Sequence, residues 1–229
     1  MAASCEIEGK PTPPNSILEL RHLLAERFPQ PPTVPPTRVA TGLATLDEAT
    51  EGGLPKGAIT ELTSSQFSAG TASLIHSLLQ HAQQSQSFLA LIDGRDSFDP
   101  VSASTHDESC LRHLLWVRCS KTIEAVKAAD LLLRDGNFPI VVLDLVLNAP
   151  AELRKIPQTS WYRLQRLVEP SPTAFLVLTR CNTISSAQLK LVLQNEWKLR
   201  DLQRDAGDMR LRFQVHRRQG GRLEMTGTG

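Results

Sequence analysis

The stretch that decides the fold is Ile59-Thr60-Glu61-Leu62-Thr63-Ser64-Ser65-Gln66-Phe67-Ser68-Ala69-Gly70-Thr71. Its start, within Ala58–Thr63, reads as an apolar strand. A run of small and polar residues follows, and from Thr71 to Gln84 apolar side chains recur at helical spacing. Strand, small-residue loop and helix form the setting of a phosphate-binding loop. In such a loop glycines let backbone N–H groups curl around phosphates, a lysine reaches the β- and γ-phosphates, and Ser or Thr holds magnesium. The threonine is present as Thr71, but the two glycine positions hold Ser64 and Ala69, and the lysine position holds Gly70. Taken alone, the stretch is equally a polar turn entering a helix.

Outward from it, strand and helix patterns alternate. Strand candidates are Ala58–Thr63, Phe88–Asp93, Leu115–Arg118, Ile140–Asp144 and Ala174–Thr179, with helical stretches at Thr71–Gln84, Lys121–Arg134 and Ser160–Glu169 between most of them. Asp135-Gly136 supplies a stop for the second helix. Runs such as Ile140-Val141-Val142-Leu143 are apolar on both faces, as strands inside a parallel sheet require. The alternation predicts an α/β fold with a mostly parallel sheet covered on both sides. The end differs. Trp197–Leu202 and Met209–Arg217 alternate apolar with basic residues around Asp205-Ala206-Gly207-Asp208, which predicts an antiparallel hairpin at a sheet edge.

A chain of 229 residues suits one sizeable domain with a short extension, and 41% hydrophobic against 21% charged residues predicts a packed core. Lys and Arg number 25 against 24 Asp and Glu, which excludes a globally basic nucleic-acid coat but leaves a local basic face open. No apolar run approaches the roughly 18 residues of a membrane span. MAASCEIEGK lacks the basic-then-apolar form of a secretory signal. The scattered Cys5, Cys110, Cys119 and Cys181 read as reduced thiols of a cytoplasmic protein. His106, Cys110, His113 and Cys119 lack the paired spacing of a zinc site, so no metal centre is expected.

Prolines crowd between Pro11 and Pro36 and bracket one helical segment, Asn15 to Phe28. Ser16 and Glu19 form a capping box, and Ile17, Leu20, Leu24 and Phe28 fall on one stripe. Pro29 to Pro36 reads as a stiff, extended strap. Such a helix is too short to be stable alone, so its stripe docks either on its own domain or on another protein. The expected division is a disordered N-terminus at 1–14, the helix and Pro-rich linker at 15–37, a core domain at 38–222 and a flexible tail at 223–229. From Lys190 to Gly229, nine Lys/Arg stand against five Asp/Glu, a local net of +4. There Arg210, Arg212, Arg217 and Arg218 alternate with Leu211, Phe213 and Val215. They form either a charge-protected edge strand or a contact to a phosphate backbone or an acidic partner.

Further blocks frame the loop. Thr41-Gly42-Leu43-Ala44-Thr45-Leu46-Asp47 and Gly52–Gly57 precede it, and Leu91-Ile92-Asp93-Gly94-Arg95-Asp96-Ser97-Phe98-Asp99-Pro100 follows. Ile140-Val141-Val142-Leu143-Asp144 is an apolar strand ending in aspartate, the form in which a carboxylate orients magnesium through water. In this order of blocks, from roughly Thr37 to Arg222, the chain resembles the RecA recombinase family. It is most similar to the ImuA (SulA-like) offshoot, accessory proteins of damage-induced translesion synthesis. TGLATLDEATEGGLPKGAITEL looks like the ImuA entry into the core. LIDGRDSFDP resembles the second core strand of RecA with its following turn, and DMRLRFQVHRRQGGR resembles the basic edge hairpin. The resemblance implies a RecA-like sheet closed by a C-terminal hairpin and preceded by the strapped helix. It implies a vestigial nucleotide site at Ser64, Ser68, Ala69, Gly70, Thr71 and Asp144. It also implies RecA, an ImuB-like polymerase-associated protein and an error-prone polymerase as partners, with Ile17, Leu20, Leu24 and Phe28 as the docking stripe.

Departures from the family pattern matter as much. Arg95 stands where the family carries the glutamate that activates water, and arginine cannot accept a proton at neutral pH. A register shifted by one would offer Asp96 instead. Gly70 lacks the ammonium that stabilises charge developing on phosphates, and Arg180 replaces a glutamine that senses the γ-phosphate. Asp144 is then either a polar strand end or a magnesium ligand. No catalytic residue, no efficient ATPase and no cofactor are expected, with ATP and magnesium the alternative. Of the two family DNA-binding loops, the first would lie between Leu147 and Thr159, with Arg154 and Lys155. The second is compressed into Arg180–Ser185, so direct DNA binding is expected to be weak or absent. The functional expectation is a catalytically degenerate RecA-like adaptor, alone or as a small homo-oligomer. The alternatives are an active but unusual ATP-dependent DNA-binding protein, and a RecA-fold regulator unrelated to DNA.

Overall fold

The computed structural model describes residues 37–64, 66, 70–103, 108–195 and 211–218. The predicted N-terminal helix with Ile17, Leu20, Leu24 and Phe28, the strap, both tails, Ser68, Ala69, Arg210 and Trp197–Leu202 lie outside them. In chain order the elements are β1 (Arg38–Val39), α1 (Ala44–Ala49), β2 (Leu54–Pro55), β3 (Ala58–Ser64), α2 (Thr71–Gln84), β4 (Leu89–Asp93), α3 (Pro100–Ala103), a 3-10 turn (Glu108–His113), β5 (Leu114–Arg118), α4 (Thr122–Asp135), β6 (Ile140–Asp144), α5 (Pro150–Leu153), α6 (Gln158–Val168), β7 (Ala174–Thr179), β8 (Leu189–Leu193) and β9 (Phe213–Arg218).

Among the described residues, seven strands form one sheet in the order β5-β4-β6-β7-β3-β8-β9. Six run parallel, and β3 lies between β7 and β8, pairing Ala58 with Ala174 and Thr60 with Leu189. Connections between parallel strands must cross over the sheet, and α2, α4 and α6 supply those crossovers. Alternate residues of each strand serve opposite faces. Leu89, Leu91, Ile140, Val142, Leu176 and Leu178 join Leu74, Ile75, Leu78 and Leu79 of α2 in one core cluster. Ala90, Ile92, Val141, Leu143, Phe175 and Val177 join Ala125, Ala129 and Leu133 of α4 and Trp161, Leu164 and Val168 of α6 in the other. Each such Leu, Ile or Val contributes about 1.5–3 kcal/mol when fully buried, so two-sided burial dominates the stability of the sheet. α4 ends where Gly136 adopts the left-handed conformation (φ 69°) and its N–H reaches Leu132 O at 3.3 Å, the stop predicted from Asp135-Gly136.

The C-terminal edge carries the expected antiparallel strand pair. β9 pairs antiparallel with Leu189–Leu193, from Leu193 opposite Phe213 to Leu189 opposite Arg218. Leu189, Leu191 and Leu193 are all buried, and Phe213 and Val215 pack against the same core cluster. A register irregularity between Lys190 and Leu191 places Val215 opposite Leu191 and Arg217 opposite Lys190. Strict two-residue alternation from Arg212 to Arg217 is therefore interrupted by a bulge.

Candidate functional site

All six parallel strands present their carboxyl ends along one edge, where ligands of open α/β sheets bind. Ser64, at the end of β3, is fully buried and its hydroxyl donates to Gln66 O at 2.6 Å. Gly70 caps α2 in the left-handed conformation (φ 100°), where a side chain would be strained, and no side chain caps the helix start. Thr71 is the first helical residue and is buried. The strand–loop–helix setting is therefore present, with no side chain at all where the lysine of a phosphate loop would stand.

Two neighbouring strands end in aspartates that face each other in register, Asp93 and Asp144. Asp93 is almost fully buried, and its carboxylate accepts hydrogen bonds from Ser97 N and Phe98 N, both at 2.7 Å, and from Arg95 N at 3.2 Å. It shapes the turn after β4. Asp144 accepts one backbone hydrogen bond, from Val146 N at 2.9 Å. Burial pushes its carboxyl up to about 6, and the neighbouring Asp93 pushes in the same direction. The ends approach closely because position 94 is glycine. A Cβ there would lie 2.6 Å from Asn148 Oδ1 and 2.7 Å from Asp144 O, so no other residue fits.

The groups around the expected base position are committed elsewhere. Arg95 is exposed and its guanidinium donates to Ser120 O at 3.4 Å. Asp96, the alternative base, forms a two-pronged ion pair with Arg118, at 2.5 and 2.7 Å. The hydrogen bond from Arg118 holds the Asp96 carboxyl below its usual range, which weakens it as a proton acceptor. Arg180 follows β7 and is half-buried.

One pair went unnoticed in the sequence. Glu61 of β3 is fully buried, its Oε1 accepting from Thr183 N at 2.6 Å and Ile184 N at 3.0 Å. Its Oε2 lies 3.0 Å from Lys190 Nζ, which is nearly as buried and also donates to Asn182 Oδ1. The carboxylate staples the short β7–β8 connection to the central strand. A charge inside each of two otherwise apolar strands, ITEL and LKLVL, was the available signal. The first expected DNA loop is likewise ordered, forming α5 and then a turn through Arg154 and Lys155 into α6.

Ser64, Gly70, Thr71 and Asp144 thus share one edge of the sheet, whereas Arg212, Arg217 and Arg218 lie on and beside β9 at its flank. Among the described residues no three His, Cys, Asp or Glu gather as a metal site, and no helix is long and apolar enough to cross a membrane. The site offers a buried hydroxyl, an uncapped helix start and a carboxyl whose burial raises its proton affinity. It offers no cation at the cap and no free base in the adjoining turn.

A family model described as the RecA N-terminal domain matches residues 31–155. The protein RecA of Dichelobacter nodosus is 35% identical over 124 residues, covering 50% of this chain and 33% of its own length. That of Rickettsia bellii is 28% identical over 169 residues, covering 71% of this chain and 49% of its own length. That of a Nostoc species is 32% identical over 108 residues. The chain spans about half or less of the length of these relatives.

Proposed function

The chain belongs to the RecA N-terminal domain family, and from that membership we propose that it is a catalytically degenerate accessory protein of the DNA-damage response, acting in the cytoplasm as an adaptor or regulator of translesion synthesis. Gly70 carries this reading. It opens the helix after the central strand and supplies no ammonium to phosphates, while Asp96 is tied to Arg118 and Arg95 cannot take a proton. The residues present do not fit a hydrolysable nucleotide, and no hydrolytic step is routed through one. RecA, an ImuB-like protein and an error-prone polymerase are the proposed partners, by likeness to ImuA, with the Ile17, Leu20, Leu24 and Phe28 stripe as the contact to RecA. Two assays test this together. ATP turnover, with or without single-stranded DNA, stays at buffer background; a steady rate that Thr71→Ala abolishes would end the reading. In a pull-down, RecA is retained by the wild type and lost by Leu20→Asp/Leu24→Asp.

A second reading, an active but unusual ATP-dependent DNA-binding protein, is favoured by one observation: Thr71 and Asp144 remain on the same sheet edge. Thermal melting with magnesium-ATP separates the two. A bound nucleotide at a hundredfold excess over its Kd adds about 2.7 kcal/mol, a clear upward shift. The degenerate reading expects none.

A further inference from the structure

Three cations from three separate segments meet around a hollow that the site above does not use. The hollow, about 220 Å3, lies beside the carboxyl ends of β4 and β5 and is lined by Arg95 from the turn after β4, Lys121 from the start of α4 and Lys155 from the turn after α5. All three side chains belong to exposed residues. Glu152 is the one acidic group in the lining, and its carboxylate already accepts the Thr122 hydroxyl at 3.0 Å. A chain of net charge +1 therefore concentrates positive charge here locally, and nothing in its overall balance requires it.

The floor of the hollow is fixed. Thr122 is buried, and its hydroxyl also accepts from Asn148 Nδ2 at 2.9 Å. The same Asn148 nitrogen donates to Gly94 O at 3.0 Å, which ties all three cation-bearing segments together. Just before α4, Glu124 Oε2 accepts from Ser120 N at 3.1 Å and Lys121 N at 3.2 Å, which fixes the backbone that carries Lys121. No aromatic side chain lines the hollow, so there is no platform on which a nucleobase would stack. Its apolar part is aliphatic: Ile156 is buried, while Ile123 stands 49% exposed beside the cations.

We propose that this hollow docks an acidic peptide segment of a partner protein, with a carboxylate held among Arg95, Lys121 and Lys155 and an adjacent aliphatic side chain covering Ile123. Charge complementarity fixes the acid, and the exposed isoleucine fixes its neighbour, which a phosphate backbone would leave facing water. Neither RecA nor a nucleotide enters this docking, so it stands apart from the role proposed above.

Fluorescence anisotropy of the full chain tests it, with a labelled peptide alternating Glu and Leu as the probe. Saturable binding is expected, and a Gln–Leu peptide of equal length should not bind. Lys121→Glu/Lys155→Glu should weaken the complex about tenfold or more, the sum of modest exposed pairs converted into repulsions. Arg95→Gln, a change in a turn, should weaken it in the same direction, as should Ile123→Ser. Lys127→Glu/Arg166→Glu makes the same charge change on exposed residues outside the hollow and should leave binding unaltered. Equal loss in both double variants would reveal unspecific attraction and overturn the proposal. So would undiminished binding in Lys121→Glu/Lys155→Glu, or displacement of the peptide by oligothymidine of equal charge.

Discussion

Lys190 and Glu61 set opposite charges 3.0 Å apart inside the sheet, with side chains 8% and 0% exposed. Such a pair adds little net stability over an apolar pair, but it is costly to break from one side. Lys190→Met leaves the Glu61 carboxylate buried with backbone donors only, and should destabilise the fold by about 3–5 kcal/mol in urea unfolding. The double variant Glu61→Gln/Lys190→Met should recover most of that, since an amide oxygen still accepts from Thr183 N and Ile184 N. A double variant as unstable as the single one would show that packing, not charge, decides. Asp144 behaves differently with pH. Its folded value of about 6 lies above the ordinary carboxylate range, so the folded state holds its proton more tightly than the unfolded chain. The stabilisation this brings is complete below about pH 4 and is lost as pH rises through about 6. At neutral pH the ionised group then costs on the order of 1–3 kcal/mol. Asp144→Asn should therefore melt a few degrees higher than wild type at pH 7 and show no gain at pH 4. Equal melting at both pH values would mean that the carboxylate is compensated in place.

At the scale of elements, the β7–β8 connection bears on the expectation that nucleic acid binds weakly or not at all. It is a short turn held by Glu61 from the central strand, and it offers no long arm to enter or wrap a strand. Arg212 precedes β9, and Arg217 and Arg218 stand at its end. Single-stranded DNA should accordingly bind weakly, with strong salt dependence and no sequence preference, and Arg217→Ala/Arg218→Ala should weaken it further. Anisotropy with a labelled oligonucleotide measures this. Tight binding that survives high salt, or that ignores the double variant, would contradict it. The elements themselves were largely legible in the sequence. Ile140–Asp144, Ala174–Thr179 and Thr71–Gln84 occupy the residues their patterns predict, because strands buried on both faces are continuous apolar runs and an amphipathic helix repeats every three to four residues. β8 was missed. Leu189–Leu193 is a short apolar run with a lysine inside it, and that lysine reads as a surface residue until its partner on β3 is known.

For the whole molecule, assembly is the open physical quantity. If Ile17, Leu20, Leu24 and Phe28 form the stripe their spacing predicts, burying two leucine-sized side chains contributes about 3–6 kcal/mol, enough to decide whether a modest interface forms. The proposed degenerate reading expects an assembly no larger than a small homo-oligomer, and one that does not respond to nucleotide. Light scattering should find a monomer or a small oligomer with and without magnesium-ATP, and Leu20→Asp/Leu24→Asp should reduce any oligomer to the monomer. A mass that grows with nucleotide would argue for an active recombinase-like assembly.

The sequence by itself determined the layer architecture, the central strand–loop–helix and the absence of a cation at Gly70, because each is written in local periodicity or in the identity of one residue. Only the tertiary structure decided which strand β9 pairs with, what commits Asp96, and how Glu61 reaches Thr183, 122 residues away. It alone gathered Arg95, Lys121 and Lys155 around one hollow. Those outcomes depend on the order in which strands enter the sheet. That order is chosen by burial summed over the whole chain, which no local pattern records.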